Sequence, residues 1–235
     1  LKRIPKSGPF ITISNHPLGG IDGILLLKLL LEQRPEFKII ANFLLHRILP
    51  LKPYVMPVNP FEGRKGAHNS IAGFKSALNH LNQGHGLGIF PAGEVSTYRD
   101  NALLVDKPWE VAAMKLIKKA QVPIVPIYFH AENSLLFYRL AKLSDTLRTA
   151  KLPSELLTQK QRVIKVRIGN AIPVKDQNEH QTIDLLTEFL RKKTYVLANP
   201  FAKKKLIDSL PKTIKLPKSP KKIAGAAPVE AIVKE

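Results

Sequence analysis

Hydrophobic residues follow two rhythms along this chain. Short unbroken apolar runs bounded by Gly and Pro predict buried strands, and apolar positions three or four apart predict helices. Phe10 to Ser14, rich in Ile and Thr and preceded by Gly8-Pro9, is the first predicted strand. It leads into Asn15-His16-Pro17-Leu18-Gly19-Gly20. Ile21, Leu25, Lys28 and Leu29 then share a helical face, and Pro35 stops that helix. Phe37 to Ala41 is a second strand, followed by a segment broken by Pro50, Pro53, Pro57 and Pro60. Ala67, Ile71, Phe74, Leu78 and Leu81 predict an amphipathic helix over residues 66–83, closed by Gly84 and Gly86. Leu87 to Phe90 is a short buried strand that delivers Pro91-Ala92-Gly93-Glu94. Pro108 to Ala120 predicts a helix with Pro108 in an N-terminal position and Trp109, Ala112, Ala113, Leu116 and Ile117 as its apolar face. Val122 to Phe129 is a strand, residues 133–149 a helix, Arg162 to Gly169 a strand, and residues 180–198 a last helix ended by Pro200.

Strands alternating with helices over about 200 residues predict an α/β fold, a mixed central sheet flanked by helices. Residues 1–200 form the expected domain. Residues 201–235, with Pro211, Pro217 and Pro220 among many lysines, read as a basic extension or linker. Hydrophobic residues make up 44% of the chain, enough for a core, which excludes disorder throughout. Cysteine is absent, which excludes disulfides, thiolate metal sites and cysteine nucleophiles.

Charge adds a constraint. The chain carries 37 Lys and Arg against 18 Asp and Glu, a net +19. The extension holds nine Lys against Asp208, Glu230 and Glu235, so most of the excess lies in the body. Nucleic acid, an anionic membrane surface and an acidic protein are the partner classes such a charge suits. The apolar stretch from Ile21 to Leu31 contains Asp22 and Lys28 and falls short of the roughly 20 residues a membrane span needs. Leu1 opens directly on Lys2-Arg3 without an initiator Met, and the expectation is a trimmed chain.

Three segments carry candidate chemistry. In Asn15-His16-Pro17-Leu18-Gly19-Gly20-Ile21-Asp22, a His and an Asp six apart face each other if the Gly pair turns the chain between them. An Asp on one ring nitrogen would set the tautomer and leave the other nitrogen as a general base. Asp22 as a helix N-cap and His16 as a turn residue is the competing reading. The second segment, Phe90-Pro91-Ala92-Gly93-Glu94-Val95-Ser96-Thr97, is a strand-to-loop turn whose backbone N–H groups suit an anion or oxyanion. The third, Asn59-Pro60-Phe61-Glu62-Gly63-Arg64-Lys65-Gly66, puts two cations just before a helix, where a phosphate or carboxylate binds well. His46, His68, His80, His85, His130 and His180 have no metal-ligand spacing, and no metal site is expected.

Taken together and in this order, with Val122-Pro123-Ile124-Val125-Pro126 following, these segments resemble the glycerolipid acyltransferases of the lysophosphatidate acyltransferase type. The common family form has four residues between His and Asp, and this chain has five. That extra residue, the Asn15-His16-Pro17 and Gly19-Gly20 steps, Trp109 and Phe129-His130-Ala131-Glu132-Asn133-Ser134 resemble the hemolysin-like branch, similar to enzymes that make ornithine- or glycine-type aminolipids. The resemblance covers about residues 8–200.

It implies transfer of a fatty acyl group from an acyl-carrier-protein or coenzyme A thioester to a lysolipid hydroxyl. His16 would be the general base and Asp22 its orienting partner. Asn15, Arg64, Lys65, Phe90, Pro91, Ala92, Gly93, Glu94 and Ser96 would contact substrate. No bound cofactor or metal is implied. The phosphate-acceptor enzymes typically read Phe-Pro-Glu-Gly-Thr-Arg-Ser in the second segment. Here Ala92 takes the Glu position, Glu94 the Thr position and Val95 the Arg position. The loop has lost its cation and gained a carboxylate, which argues for a lyso-aminolipid over lysophosphatidate, with Arg64, Lys65 or Arg99 as the cations left to a phosphate. The acyl chain is expected in an apolar groove, with the Leu25–Leu31 helix and the Pro50–Pro60 segment as candidate linings. The expected setting is the cytoplasmic face of the inner membrane, bound peripherally, with lysolipid, thioester donor and anionic membrane surface as partners and no nucleic acid. A 1-acyl-glycerol-3-phosphate acyltransferase, a non-catalytic lipid-binding module and a basic nucleic-acid-binding protein stay open as alternatives.

Overall fold

A computed structural model describes residues 1–58, 67–99, 103–144, 147, 150–152, 154–155 and 163–198. Arg64 and Lys65, and the whole extension 201–235, lie outside the described residues.

The elements run β1 (Phe10–Ser14), α1 (Gly20–Leu30), β2 (Lys38–Asn42), α2 (Phe43–His46), a 3-10 turn at Leu49–Tyr54, β3 (Val55–Val58), α3 (Ala67–Asn82) and β4 (Gly86–Ile89). There follow β5 (Thr97–Arg99), β6 (Leu103–Val105), α4 (Val111–Ala120), β7 (Ile124–His130), α5 (Leu135–Leu143), β8 (Lys165–Ile168), α6 (Val174–Asn178) and α7 (Ile183–Tyr195). Six strands form one sheet in the order β3-β2-β4-β1-β7-β8, while β5 and β6 make a separate hairpin. All neighbours in the large sheet are parallel except β7 and β8. The mixed sheet expected from the alternation is therefore present.

Central parallel strands are covered on both faces, so they read as continuous apolar runs. All five residues of β1 are buried. Ile11, Ile13, Leu87, Ile89 and Ile124 face one layer, with Leu81, Met114, Ile117, Leu186 and Leu190 from α3, α4 and α7. Phe10, Ile39, Val125, Ile127 and Phe129 face the other, with Leu26, Leu27 and Leu30 of α1.

Several boundaries differ from the sequence reading, among them the helix expected over residues 133–149, which runs as α5 from Leu135 to Leu143 and ends at Ser144 in extended backbone. The helix expected from Pro108 begins at Val111, because the Glu110 N–H is bonded to Pro91 O at 2.8 Å, which holds the chain before it in extended form. Trp109 is buried in that connection, outside the helix. The helix expected from residue 180 begins at Ile183, since the Thr182 hydroxyl caps it by accepting the Leu185 N–H. The strand expected over Arg162 to Gly169 is confined to Lys165–Ile168, and Val163 is 98% exposed.

The parallel strands all run one way, so their carboxyl ends share an edge. At that edge β1, β4 and β7, side by side, deliver Asn15-His16, the Phe90 loop and the Ala131–Ser134 connection. Ligands bind at such edges in α/β sheets.

Candidate active site

His16 sits two residues past the end of β1, 16% exposed, and Asp22 lies in the first turn of α1, fully buried. Gly19 turns the chain between them with φ 73° and ψ −133°, a conformation open in practice only to glycine. The turn brings His16 Nδ1 to 3.1 Å from Asp22 Oδ2. The two atoms are at ion-pair distance without the alignment of a full hydrogen bond. Oδ2 also accepts the Leu18 N–H at 2.8 Å. Gly19 is the N-cap of α1, so Asp22 is not; it stands three residues in and reaches back like the acid of a capping box. Asp22 Oδ1 has no partner among the described residues. Burial pushes the Asp22 carboxyl above its ordinary value, against the pull of His16 and the Leu18 N–H, and Asp106 adds to the rise.

Asn15 is also buried, and its amide works as a piece of strand. Its Nδ2 donates to Phe129 O at 3.0 Å and its Oδ1 accepts the Phe129 N–H at 2.7 Å, which ties the end of β1 to β7. Asn133 Nδ2 donates to Pro17 O at 3.0 Å, so the Phe129–Ser134 segment forms a wall of the site. The Phe90 ring packs on the His16 imidazole with centroids 4.4 Å apart. Pro91 and Ala92 are buried, Gly93 (φ 66°) makes the turn, and Glu94 is half-exposed.

Glu94 is not an uncompensated carboxylate: Lys107 Nζ lies 2.5 Å from its Oε2. The cation lost from the loop is restored from 13 residues away, and the argument from charge against a phosphate acceptor loses its basis.

Ser96 is buried, and it points to a residue that sequence reasoning missed. Asp106, wholly buried, accepts the Ser96 hydroxyl at 2.6 Å and the His16 backbone N–H at 3.1 Å, both on Oδ1. The Ser96 N–H closes the ring by donating to His16 O at 2.8 Å. Trp109 Nε1 reaches Asp106 Oδ2 at 3.4 Å, and the Asp106 N–H donates to Tyr195 Oη at 2.8 Å. Arg191 holds the same stretch through the carbonyls of Asp106 and Lys107. One buried carboxylate thus fastens the backbone of His16 to the Phe90–Ser96 loop. No motif spacing signals it, since 90 residues separate Asp106 from His16.

Among the described residues, no group of three His, Cys, Asp or Glu side chains is arranged to hold a metal ion. Likewise no helix there is long and apolar enough to cross a membrane. A groove of about 320 Å³ runs between α1 and β8, lined by Leu25, Leu29, Ile164 and Val166 with Lys28 and Glu32.

The family model described as Acyltransferase matches residues 1–203. A lyso-glycine lipid O-acyltransferase of Bacteroides thetaiotaomicron is 27% identical over 206 residues, 84% of this chain and 73% of that protein. Another of the same name from Phocaeicola vulgatus is 28% identical, over 84% of this chain and 71% of that protein. Among solved structures, the 1-acyl-sn-glycerophosphate (LPA) acyltransferase PlsC of Thermotoga maritima superposes with a TM-score of 0.54 at 17% identity, covering 86% of this chain and 70% of that one. That likeness shows the shared fold.

Proposed function

Because this chain belongs to the acyltransferase family, we propose that it moves a fatty acyl group from a thioester to the hydroxyl of a lysolipid, with a lyso-aminolipid of glycine or ornithine type as acceptor. The observation that carries the chemistry is the His16–Asp22 pair at 3.1 Å. With Nδ1 turned to Asp22, Nε2 is left to take the acceptor's hydroxyl proton. The freed oxygen attacks the thioester carbonyl carbon, a C–O bond forms, and the carbonyl oxygen becomes an oxyanion. Collapse breaks the C–S bond, and His16 returns its proton to the leaving thiolate. The Asp22 carboxylate favours the imidazolium formed midway. A positioned base of this kind contributes about 10²- to 10⁴-fold. The positive end of α1, beside His16, favours the developing negative charge.

The curated relatives named for lyso-glycine lipid support the aminolipid acceptor. The groove between α1 and β8 is the proposed berth of an acyl chain. Leu25 lies three residues beyond Asp22 on the same helix, and the lining leucines, Ile164 and Val166 offer apolar walls. Arg64 and Lys65 stay candidates for the anionic groups of donor or acceptor. Donor thioesters are cytosolic, so the proposed setting is the cytoplasmic face of the membrane.

The Glu94–Lys107 pair admits a second reading, with lysophosphatidate as acceptor, since the carboxylate that would repel a phosphate is neutralised by Lys107. Acyl-carrier-protein and acyl-coenzyme A donors, each offered to lyso-glycine lipid, lyso-ornithine lipid and lysophosphatidate, separate the two. A higher kcat/KM on a lyso-aminolipid is the expected result. Preference for lysophosphatidate overturns the aminolipid assignment, and no transfer to any lysolipid overturns the enzymatic one.

A further inference from the structure

A helix on the surface of a water-soluble domain hides its leucines and exposes its charges. Helix α5 does otherwise. Its inner side is well used: Phe137 and Tyr138 are buried against Val95 of the site loop, and Tyr98 meets Tyr138 edge-on at 4.5 Å. Its outer side carries Leu135 at 71%, Leu136 at 53% and Leu143 at 77% exposure. At 100° per residue these three fall on one arc with Arg139, which is exposed as well. Leu147, just past the helix, is 48% exposed. The helix sequence LLFYRLAKL contains two cations and no acid. Exposed leucines sharing one helical face with a cation are the chemistry of a helix lying in a membrane interface.

Its position adds weight. Ser134 caps α5, and the residue before it, Asn133, is bonded to Pro17, the neighbour of His16. The patch is therefore fixed to two walls of the site, the His16 turn and the Val95 loop. A lysolipid and its doubly acylated product reside in a bilayer, so the site must meet one.

We propose that the outer face of α5 is the surface by which this protein rests on an anionic lipid bilayer, with Leu135, Leu136 and Leu143 in the acyl boundary and Arg139 among the headgroups. The inference rests on the reading of the His16 site as one that acts on a lysolipid.

Co-sedimentation of the full chain with vesicles tests it without recourse to catalysis. Vesicles of phosphatidylcholine with phosphatidylglycerol are compared with phosphatidylcholine alone. The variants are the double substitution Leu135→Glu with Leu143→Glu, then Arg139→Glu. Val163→Glu, at a fully exposed site outside α5, is the control for added negative charge. The expected result is at least a roughly tenfold loss of vesicle partitioning in the leucine double variant, a smaller loss in Arg139→Glu confined to anionic vesicles, and wild-type binding in Val163→Glu. The double variant should keep wild-type turnover of a short-chain, water-soluble acceptor and thioester. Wild-type binding in the double variant, or an equal loss in Val163→Glu, overturns the proposal. If the binding pattern holds while no variant, nor the parent, transfers acyl groups, the surface stands and the enzymatic reading falls.

Discussion

Replacing Asp106 with asparagine tests the clamp that holds His16 to its loop. The native carboxylate accepts three hydrogens: the Ser96 hydroxyl at 2.6 Å, the His16 N–H at 3.1 Å and, weakly, Trp109 Nε1 at 3.4 Å. Asparagine keeps one acceptor oxygen, which serves Ser96 and His16. Its NH₂ then faces the indole N–H, donor against donor. Bonds to a charged acceptor contribute about 1.5–3 kcal/mol and neutral ones about 1, so two weakened bonds cost about 1–4 kcal/mol. A buried donor left without a partner costs about 1–3 kcal/mol more. The sum, roughly 2–7 kcal/mol, is a large share of a domain's 5–15. At about 2–4 °C per kcal/mol for a domain of this size, Tm should fall by about 4–28 °C. Alanine would orphan all three donors, which makes asparagine the better probe. Turnover should fall by about 10²-fold, since a displacement of about 1 Å at a reacting group has that effect, with KM for either substrate little changed. The assay is release of the free thiol of the donor, coenzyme A or acyl carrier protein, read with a thiol-reactive dye, to which the cysteine-free chain contributes no background. Wild-type kcat together with wild-type Tm in Asp106→Asn would refute the reasoning.

Three further outcomes follow from the same geometry. Asp22→Asn should abolish most transfer yet raise stability at pH 7. The folded carboxyl titrates above its unfolded value of about 3.9, so its ionised form costs stability once pH exceeds the folded value, and the gain should vanish below about pH 4; thermal melts across pH decide, and an Asn variant no more stable at pH 7 contradicts it. Gly19→Ala forces a Cβ into positive φ at 3.0 Å from Val95 Cγ2 and 3.2 Å from Leu152 Cδ2, so about 1–3 kcal/mol of stability and most of the activity should go, as unfolding and turnover assays would register. His80, buried with its Nε2 on Gly86 O, has its imidazole held below the ordinary value by burial, so the unfolded state gains the proton first and stability declines as pH drops below about 6.5. His80→Gln, which keeps a donor for Gly86, should flatten that decline in melts between about pH 6.5 and 5, and an unchanged slope counts against it.

Much of the scaffold was legible because strong local signals agreed with tertiary structure. Phe10–Ser14 was delimited by Gly8-Pro9 and by the His16 turn, and it is the strand observed. The His16–Asp22 apposition was one of two readings the residue types allow, the other making Asp22 a helix N-cap, and the turn at Gly19 decides between them. The hairpin of β5 and β6 escaped notice because three-residue strands display no alternation. Trp109 fits a helix by its spacing to Ala112 and Ala113, but the pull of Pro91 O on Glu110 and of Asp106 on the indole keeps it in the connection. Asp106 and Lys107 were invisible for one reason. His16 lies 90 residues from Asp106, and Ser96 and Glu94 stand on the other side of the β5–β6 pairing, whose short strands display no signal. The apolar outer face of α5 was hidden for the opposite reason: a leucine-rich helix looks equally buried on any side until its packing partners are known.

The central claim is that His16 is the base for acyl transfer. Single-turnover transfer from acyl-carrier-protein or acyl-coenzyme A to lyso-glycine lipid, wild type beside His16→Ala, tests it most directly, with near-identical melting curves as the check on folding. The account predicts a loss of about 10²-fold or more in the transfer step with lysolipid binding retained. Transfer at the wild-type rate by a folded His16→Ala protein would contradict it.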